Sequence, residues 1–140
     1  MTDIQVMTQL AFHGECRPAF EHYEKVLGGK ITAMNSFGDN DAQLPPGSTA
    51  SAPDHIRFAE IQIGNYAILG NDVPDNEYRP MRGFHIALHL RAGAEAKRIF
   101  NTLAEGGEIE TSLSEVAWSS AFGICTDRFG VPWLILALDK

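Results

Sequence analysis

The sequence feature that most restricts the fold is an internal duplication. The helical face Ala19, Tyr23, Val26 and Leu27 returns 77 positions later as Ala96, Phe100, Leu103 and Ala104. Each copy of that helix runs into a glycine pair, Gly28-Gly29 and Gly106-Gly107, and then into a strand starting at Lys30-Ile31 or Glu108-Ile109. Each half closes with a hairpin whose glycine, Gly64 or Gly130, precedes an apolar strand. Strand, helix and three strands therefore occur twice. Neither half is long enough to bury a good core alone, so the two are expected to form one domain. That predicts an α+β fold of two βαβββ modules, module one about 4–72 and module two about 83–138, in a single domain spanning 1–140.

Taken in order, Ile4 to Phe12 reads as a first strand, closed by His13-Gly14. A helix from about Glu15 carries Pro18 in its first turn, where a missing N–H costs little. Lys30 to Phe37 is a second strand. The stretch 38–53 contains Pro45-Pro46-Gly47, and its length suits either a lid over a site or a surface excursion. His55–Ile63 and Tyr66–Leu69 form a hairpin across Gly64-Asn65. Asp72–Arg82 is a polar connection, Phe84–Leu90 a strand, Ala94–Ala104 a helix and Glu108–Leu113 a strand. The closing hairpin runs from Trp118 to Leu138 around Thr126-Asp127-Arg128-Phe129-Gly130. Its second arm, Trp133 to Leu138, carries no charge and is expected to be buried on both faces.

The chain has 140 residues and a formal charge of −7. Nucleic-acid binding needs clustered Lys and Arg, so the acidic balance argues against that class of partner. No apolar run reaches membrane-spanning length, and MTDIQVMTQ lacks the layout of a signal peptide. Cys16 and Cys125 sit in unrelated contexts and make no disulfide framework. A reduced, cytoplasmic protein is the expectation.

Paired βαβββ modules resemble the vicinal oxygen chelate superfamily, which includes glyoxalase I, bleomycin-resistance proteins and extradiol dioxygenases. The segments Phe12-His13-Gly14-Glu15-Cys16 and Leu27-Gly28-Gly29, with the tail Thr126-Asp127-Arg128-Phe129-Gly130-Val131-Pro132-Trp133, are similar to its PhnB-like branch. The resemblance implies mostly antiparallel sheets curved around a concave cavity, with helices outside. It also implies a homodimer in which modules of two chains complete each cavity. Related sequences sometimes carry a demethylubiquinone methyltransferase label, but no strand, Gly-rich loop and helix layout of an adenosyl-cofactor cradle is visible here.

Superfamily enzymes hold a divalent metal on four residues, one from the first and one from the last strand of each module. The resemblance maps these to Thr8 and His85, and to Ile68 and Leu134. The strand Gly83-Phe84-His85-Ile86-Ala87-Leu88 looks like the metal-binding strand of glyoxalase I. Ile68 and Leu134 cannot ligate, and Thr8 is a weak ligand, so no metal or other cofactor is expected. A divalent metal would have His85 as its only good donor.

The same strand places His85, Ala87 and His89 on one face and Phe84, Ile86, Leu88 and Leu90 on the other. Glu60 interrupts an apolar, neutral strand and is a candidate general base beside His85, against a plain solvent-facing role. Trp118 and Phe122 are candidate cavity walls or core. A helix dipole at Cys16 would lower its pKa, but the residue reads as structural. Tyr78, Arg79 and Arg82 form a small basic cluster, either at a cavity mouth or on the surface.

Two functions follow. The first is a small-molecule-binding protein whose apolar cavity is lined by His85, His89, Glu60, Trp118, Phe122 and Leu134, without a full metal site. The second is a divalent-metal lyase, isomerase or dioxygenase built on His85.

Overall fold

The computed structural model describes residues 3–39 and 51–140. Most of the 38–53 stretch, and with it the lid reading, lies outside the described residues. The chain divides into two compact units, Met1–Arg79 and Pro80–Lys140. Each is a βαβββ module.

Module one contains β1 (Thr8–Phe12), α1 (Cys16–Leu27), β2 (Lys30–Ser36), β3 (Ile56–Ile63) and β4 (Tyr66–Asp72). Module two contains β5 (Ile86–Leu90), α2 (Gly93–Ala104), β6 (Glu108–Val116), β7 (Ser119–Thr126) and β8 (Pro132–Ala137). Strand order is β1-β4-β3-β2 in one sheet and β5-β8-β7-β6 in the other. In each sheet the first strand lies parallel to the last and the other two pairs are antiparallel. The fold is α+β with neither sheet closed into a barrel.

Each helix covers one face of its own sheet. α1 buries Cys16, Ala19, Phe20, Tyr23 and Val26, and α2 buries Ala96, Ile99, Phe100 and Leu103. Of the eight positions that the duplication marked, six are buried and Leu27 and Ala104 are half-buried. The facing strand residues alternate with the pleat: Leu10 and Phe12 on β1, and Trp133, Ile135 and Ala137 on β8, are all buried.

Two expectations need correction. β1 begins at Thr8, and Ile4, Val6 and Met7 are exposed by 71%, 90% and 44%. Their would-be partner strand β4 starts only at Tyr66, just after the Gly64-Asn65 turn, so residues 4 and 5 have no ladder to join. The closing strand is not buried on both faces either. Leu134 and Leu136 are half-buried and Leu138 is 61% exposed, because α2 covers only the Trp133 side.

Neither helix has a side-chain cap from its own N-cap residue. Both instead use a carboxylate from the end of the module. Asp72 Oδ1 accepts from the Cys16 amide at 3.0 Å, and its Oδ2 accepts from the Ile56 amide at 2.7 Å. Asp139 Oδ2 accepts from the Gly93 amide at 3.2 Å, while its Oδ1 takes the Ser120 hydroxyl hydrogen bond. The Ser120 and Gly93 bonds hold the Asp139 carboxyl below its ordinary pKa. A carboxylate at a helix start also suits the helix dipole.

The glycine pairs divide two tasks. Gly28 and Gly106 take left-handed backbone, with φ of 71° and 76°, to turn the chain off its helix. Gly29 and Gly107 permit close approach to the sheet: a Cβ would lie 2.9 Å from the Gln62 carbonyl oxygen in the first case and 2.0 Å from that of Thr126 in the second.

Candidate functional site

The free face of the module-two sheet, opposite α2, gathers most of the residues singled out above. Its rows follow from the ladder. Ala87 lies opposite Leu134, and Leu134 opposite Ile124. In the next row His89 lies opposite Leu136, and Leu136 opposite Phe122. Trp118, in the β6–β7 turn and 60% exposed, meets Phe122 edge to face at 5.1 Å between ring centroids. His85 precedes β5 by one residue and belongs to the same face as Ala87 and His89 by alternation.

At the His85 end two side chains reach across the sheet towards each other. In a flat sheet, three strand spacings would hold the β5 and β6 edges about 14 Å apart. His85 Nε2 nonetheless lies 3.9 Å from Glu110 Oε2. Glu110 Oε1 accepts from the Thr126 hydroxyl at 2.8 Å. The ladder explains how Glu110 reaches there. Ile109 pairs with Cys125 and Thr111 with Ile124, so Glu110 is the extra residue of a β-bulge. A bulge bends its strand and redirects a side chain. The free face thus runs from a polar end (His85, Glu110, Thr126) through an apolar middle (Ala87, Leu134, Ile124) to an aromatic end (Phe122, Trp118).

Glu110 escaped sequence reasoning, since nothing in Glu108–Leu113 marks a bulge. In module one the ladder skips Thr32, between Ile31 and Ala33, at the matching place. Thr32 donates its hydroxyl to the Glu60 carbonyl oxygen at 3.4 Å.

Glu60 belongs to the module-one sheet, half-buried and in a row with Leu69 across the β3–β4 ladder and Gln9 beyond it. Gln9 Nε2 donates to Asn71 Oδ1 at 3.1 Å on that same face. Within module two the carboxylate beside His85 is Glu110.

The metal positions shift by one residue in module one. Helices α1 and α2 start 77 residues apart, but strands β1 and β5 start 78 apart (8 to 86). Thr8 therefore corresponds to Ile86, and both occupy the helix side of the pleat, opposite Ile68 and Trp133. The free-face counterpart of His85 is Met7, and that of Leu134 is Leu69. Correcting the register replaces Thr8 and Ile68 by Met7 and Leu69 and adds no oxygen or nitrogen donor. Leu134 itself does face the free side. On the free faces, each within its own sheet, Met7 and Leu69 match His85 and Leu134, and of these four side chains His85 alone carries a nitrogen or oxygen donor. Among the described residues no group of three or more His, Cys, Asp or Glu is placed to hold one.

The remaining candidates are engaged elsewhere. Burial, reinforced by the Asp72 carboxylate, drives the Cys16 thiol far above its ordinary pKa, opposite to what a helix dipole would do. Burial likewise pushes Cys125 up to about 11, with Asp127 and Glu110 adding to it. Both are buried, free thiols. Tyr78 stacks on His13 at 5.2 Å, and His13 bonds to Asp75. Arg79 donates to the carbonyl oxygens of Asn76 and Tyr78 at 3.3 and 2.8 Å. No helix among the described residues is long and apolar enough to cross a membrane.

Comparison with known proteins places this geometry. The family model described as 3-demethylubiquinone-9 3-methyltransferase matches residues 4–136. Protein YjdN of Escherichia coli K12 is 34% identical over 133 residues, covering 90% of each chain. The crystal structure of PA1353 from Pseudomonas aeruginosa is 37% identical, with a TM-score of 0.87, and the match covers 99% of this chain and 100% of that one. A structure from Bacillus cereus, titled a putative 3-demethylubiquinone-9 3-methyltransferase, PhnB protein, shares the fold. It is 19% identical with a TM-score of 0.80, over 96% of this chain and 99% of that one. In this chain β1 passes into α1 through His13, Gly14 and Glu15 alone. By sequence and by fold, this chain belongs to that family, the PhnB-like branch of the vicinal oxygen chelate superfamily.

Proposed function

We propose that this protein binds a small, largely apolar molecule on the free face of the module-two sheet, without a full metal site or other cofactor. The observation that carries the reading is the Ala87–Leu134–Ile124 row, lying between the His85–Glu110–Thr126 end and the Phe122–Trp118 end. An apolar floor with a few convergent polar groups is the usual make-up of a small-molecule site. Leu134 supplies its second support, since a superfamily metal site would need a donor there.

A second copy of the chain is the proposed protein partner. Large apolar side chains stay exposed on module two: Phe84, Ile109, Trp118 and Leu138, by 37%, 53%, 60% and 61%. A cytoplasmic setting and no nucleic-acid partner fit the free thiols and the charge of −7. The competing metal-enzyme reading keeps His85 as its one ligand.

Nile red, a neutral apolar fluorophore, tests the reading. Leu134→Ser should weaken its binding at least tenfold while the thermal midpoint falls by only a few degrees, because the side chain is on the uncovered face. Unchanged dye affinity in Leu134→Ser would refute the assignment of this face.

A further inference from the structure

We infer that the polar end of this face is a seat for a primary ammonium group, so that the ligand is a small apolar amine. This deepens the binding reading above and rests on it.

The geometry of the pair selects the head group. Glu110 Oε2 and His85 Nε2 lie 3.9 Å apart, too far for a hydrogen bond between them. A single donor atom about 2.8 Å from each fits that gap. An ammonium carries three N–H groups, enough to donate to Glu110 Oε2 and to the imidazole lone pair together. A hydroxyl can bridge the pair only by donating to Glu110 and accepting from an imidazole N–H, and it brings no positive charge to the carboxylate. A ligand carboxylate would bring like charge against Glu110.

The surroundings favour a cation as well. Facing the gap are His85 at the β5 edge, Pro132 on β8, Thr126 on β7, and both Glu108 and Glu110 on β6. Glu108 pairs with Thr126 in the ladder and so points to the same side. None of the ladder positions on this face holds Lys or Arg. The Thr126 hydroxyl holds Glu110 Oε1 at 2.8 Å, which fixes the carboxylate and leaves Oε2 for the ligand. The arrangement is not a by-product of the fold, because the same bulge in module one carries the neutral Thr32. The next row, Leu134 and Ile124, begins about 7 Å away, one two-residue step along the strands, and suits one ring attached to the ammonium.

The test compares benzylamine, benzyl alcohol and benzoate by amide-resolved NMR titration at fixed ionic strength. Benzylamine should bind at least tenfold more tightly than benzyl alcohol and shift the amides around Thr126, Ile124 and Leu134. Glu110→Gln, a neutral isostere at a half-exposed position, should bring the amine down to the alcohol's affinity. Equal or tighter binding of the alcohol or benzoate overturns the ammonium seat, as does an amine preference that survives in Glu110→Gln. If benzyl alcohol shifts the Leu134 row without any amine preference, this inference falls while the binding reading stands. If none of the three shifts that row, both fall.

Discussion

Asp127→Ala should destabilise this protein by about 3–5 kcal/mol, with the loss confined to module two. Asp127 is a buried carboxylate, 3% exposed, inside the β7–β8 turn. Its Oδ1 accepts from the amides of Phe129 and Val131, both at 2.9 Å, and its Oδ2 from the Trp133 indole at 2.9 Å. The backbone adds Asp127 N to Val131 O and Gly130 N to Asp127 O. Removing the side chain deletes three buried hydrogen bonds, and each such loss costs about 1–3 kcal/mol before relaxation. Trp133, fully buried, would lose the hydrogen bond that its indole N–H makes to Asp127. Asp127→Asn keeps the side chain's shape but puts an NH2 donor where one acceptor oxygen stood, so it should recover only part of the loss. Chemical denaturation with resolved module-two signals measures both. A change under 1 kcal/mol for Asp127→Ala would show that the turn holds without its carboxylate.

A single methyl group at Gly107 should do more damage still. Its Cβ would lie 2.0 Å from the Thr126 carbonyl oxygen and 2.8 Å from the Asp127 carbonyl carbon, both backbone atoms that no rotamer change can move. Gly107→Ala should therefore abolish native module two or lower its stability by roughly 4 kcal/mol or more, the range of severe core disruption. Gly28→Ala is the informative control. There φ is 71° and nothing lies within 4 Å of the added carbon. The cost is conformational alone, about 1 kcal/mol. Comparable losses at the two positions would mean that the α2–β6 connection shifts to admit the methyl.

These two residues also show what the sequence disclosed and what it hid. The glycine pairs were legible as helix stops because they repeat, but sequence cannot tell a glycine needed for backbone angle from one needed for proximity. The duplication was legible through its helix faces, where a 3.6-residue period gives several aligned positions. The strand register was less secure. Three residues, His13 to Glu15, link β1 to α1, whereas Arg91 and Ala92 alone link β5 to α2. That one-residue difference makes the strand spacing 78 where the helix spacing is 77, and a one-residue slip in a strand moves every side chain to the other face. Thr8 falls on the helix side of its sheet for that reason, while His85, His89, Phe122 and Leu134 share a face because their alternation is local.

The polar end of the face depends on something still less visible. Glu110 is brought to His85 by a bulge, and a bulge is a mismatch between two strands rather than a property of either. The helix-capping roles of Asp72 and Asp139 were hidden similarly, since each contact spans 46 residues or more.

The central claim is that an apolar ligand is held on the module-two face by side chains and not by a metal. Its most direct test is Nile red affinity measured before and after exhaustive chelation of the purified protein. The account predicts the same affinity within twofold in both preparations. Binding that disappears on chelation and returns with one equivalent of Zn(II), Ni(II), Mn(II) or Fe(II) would contradict it.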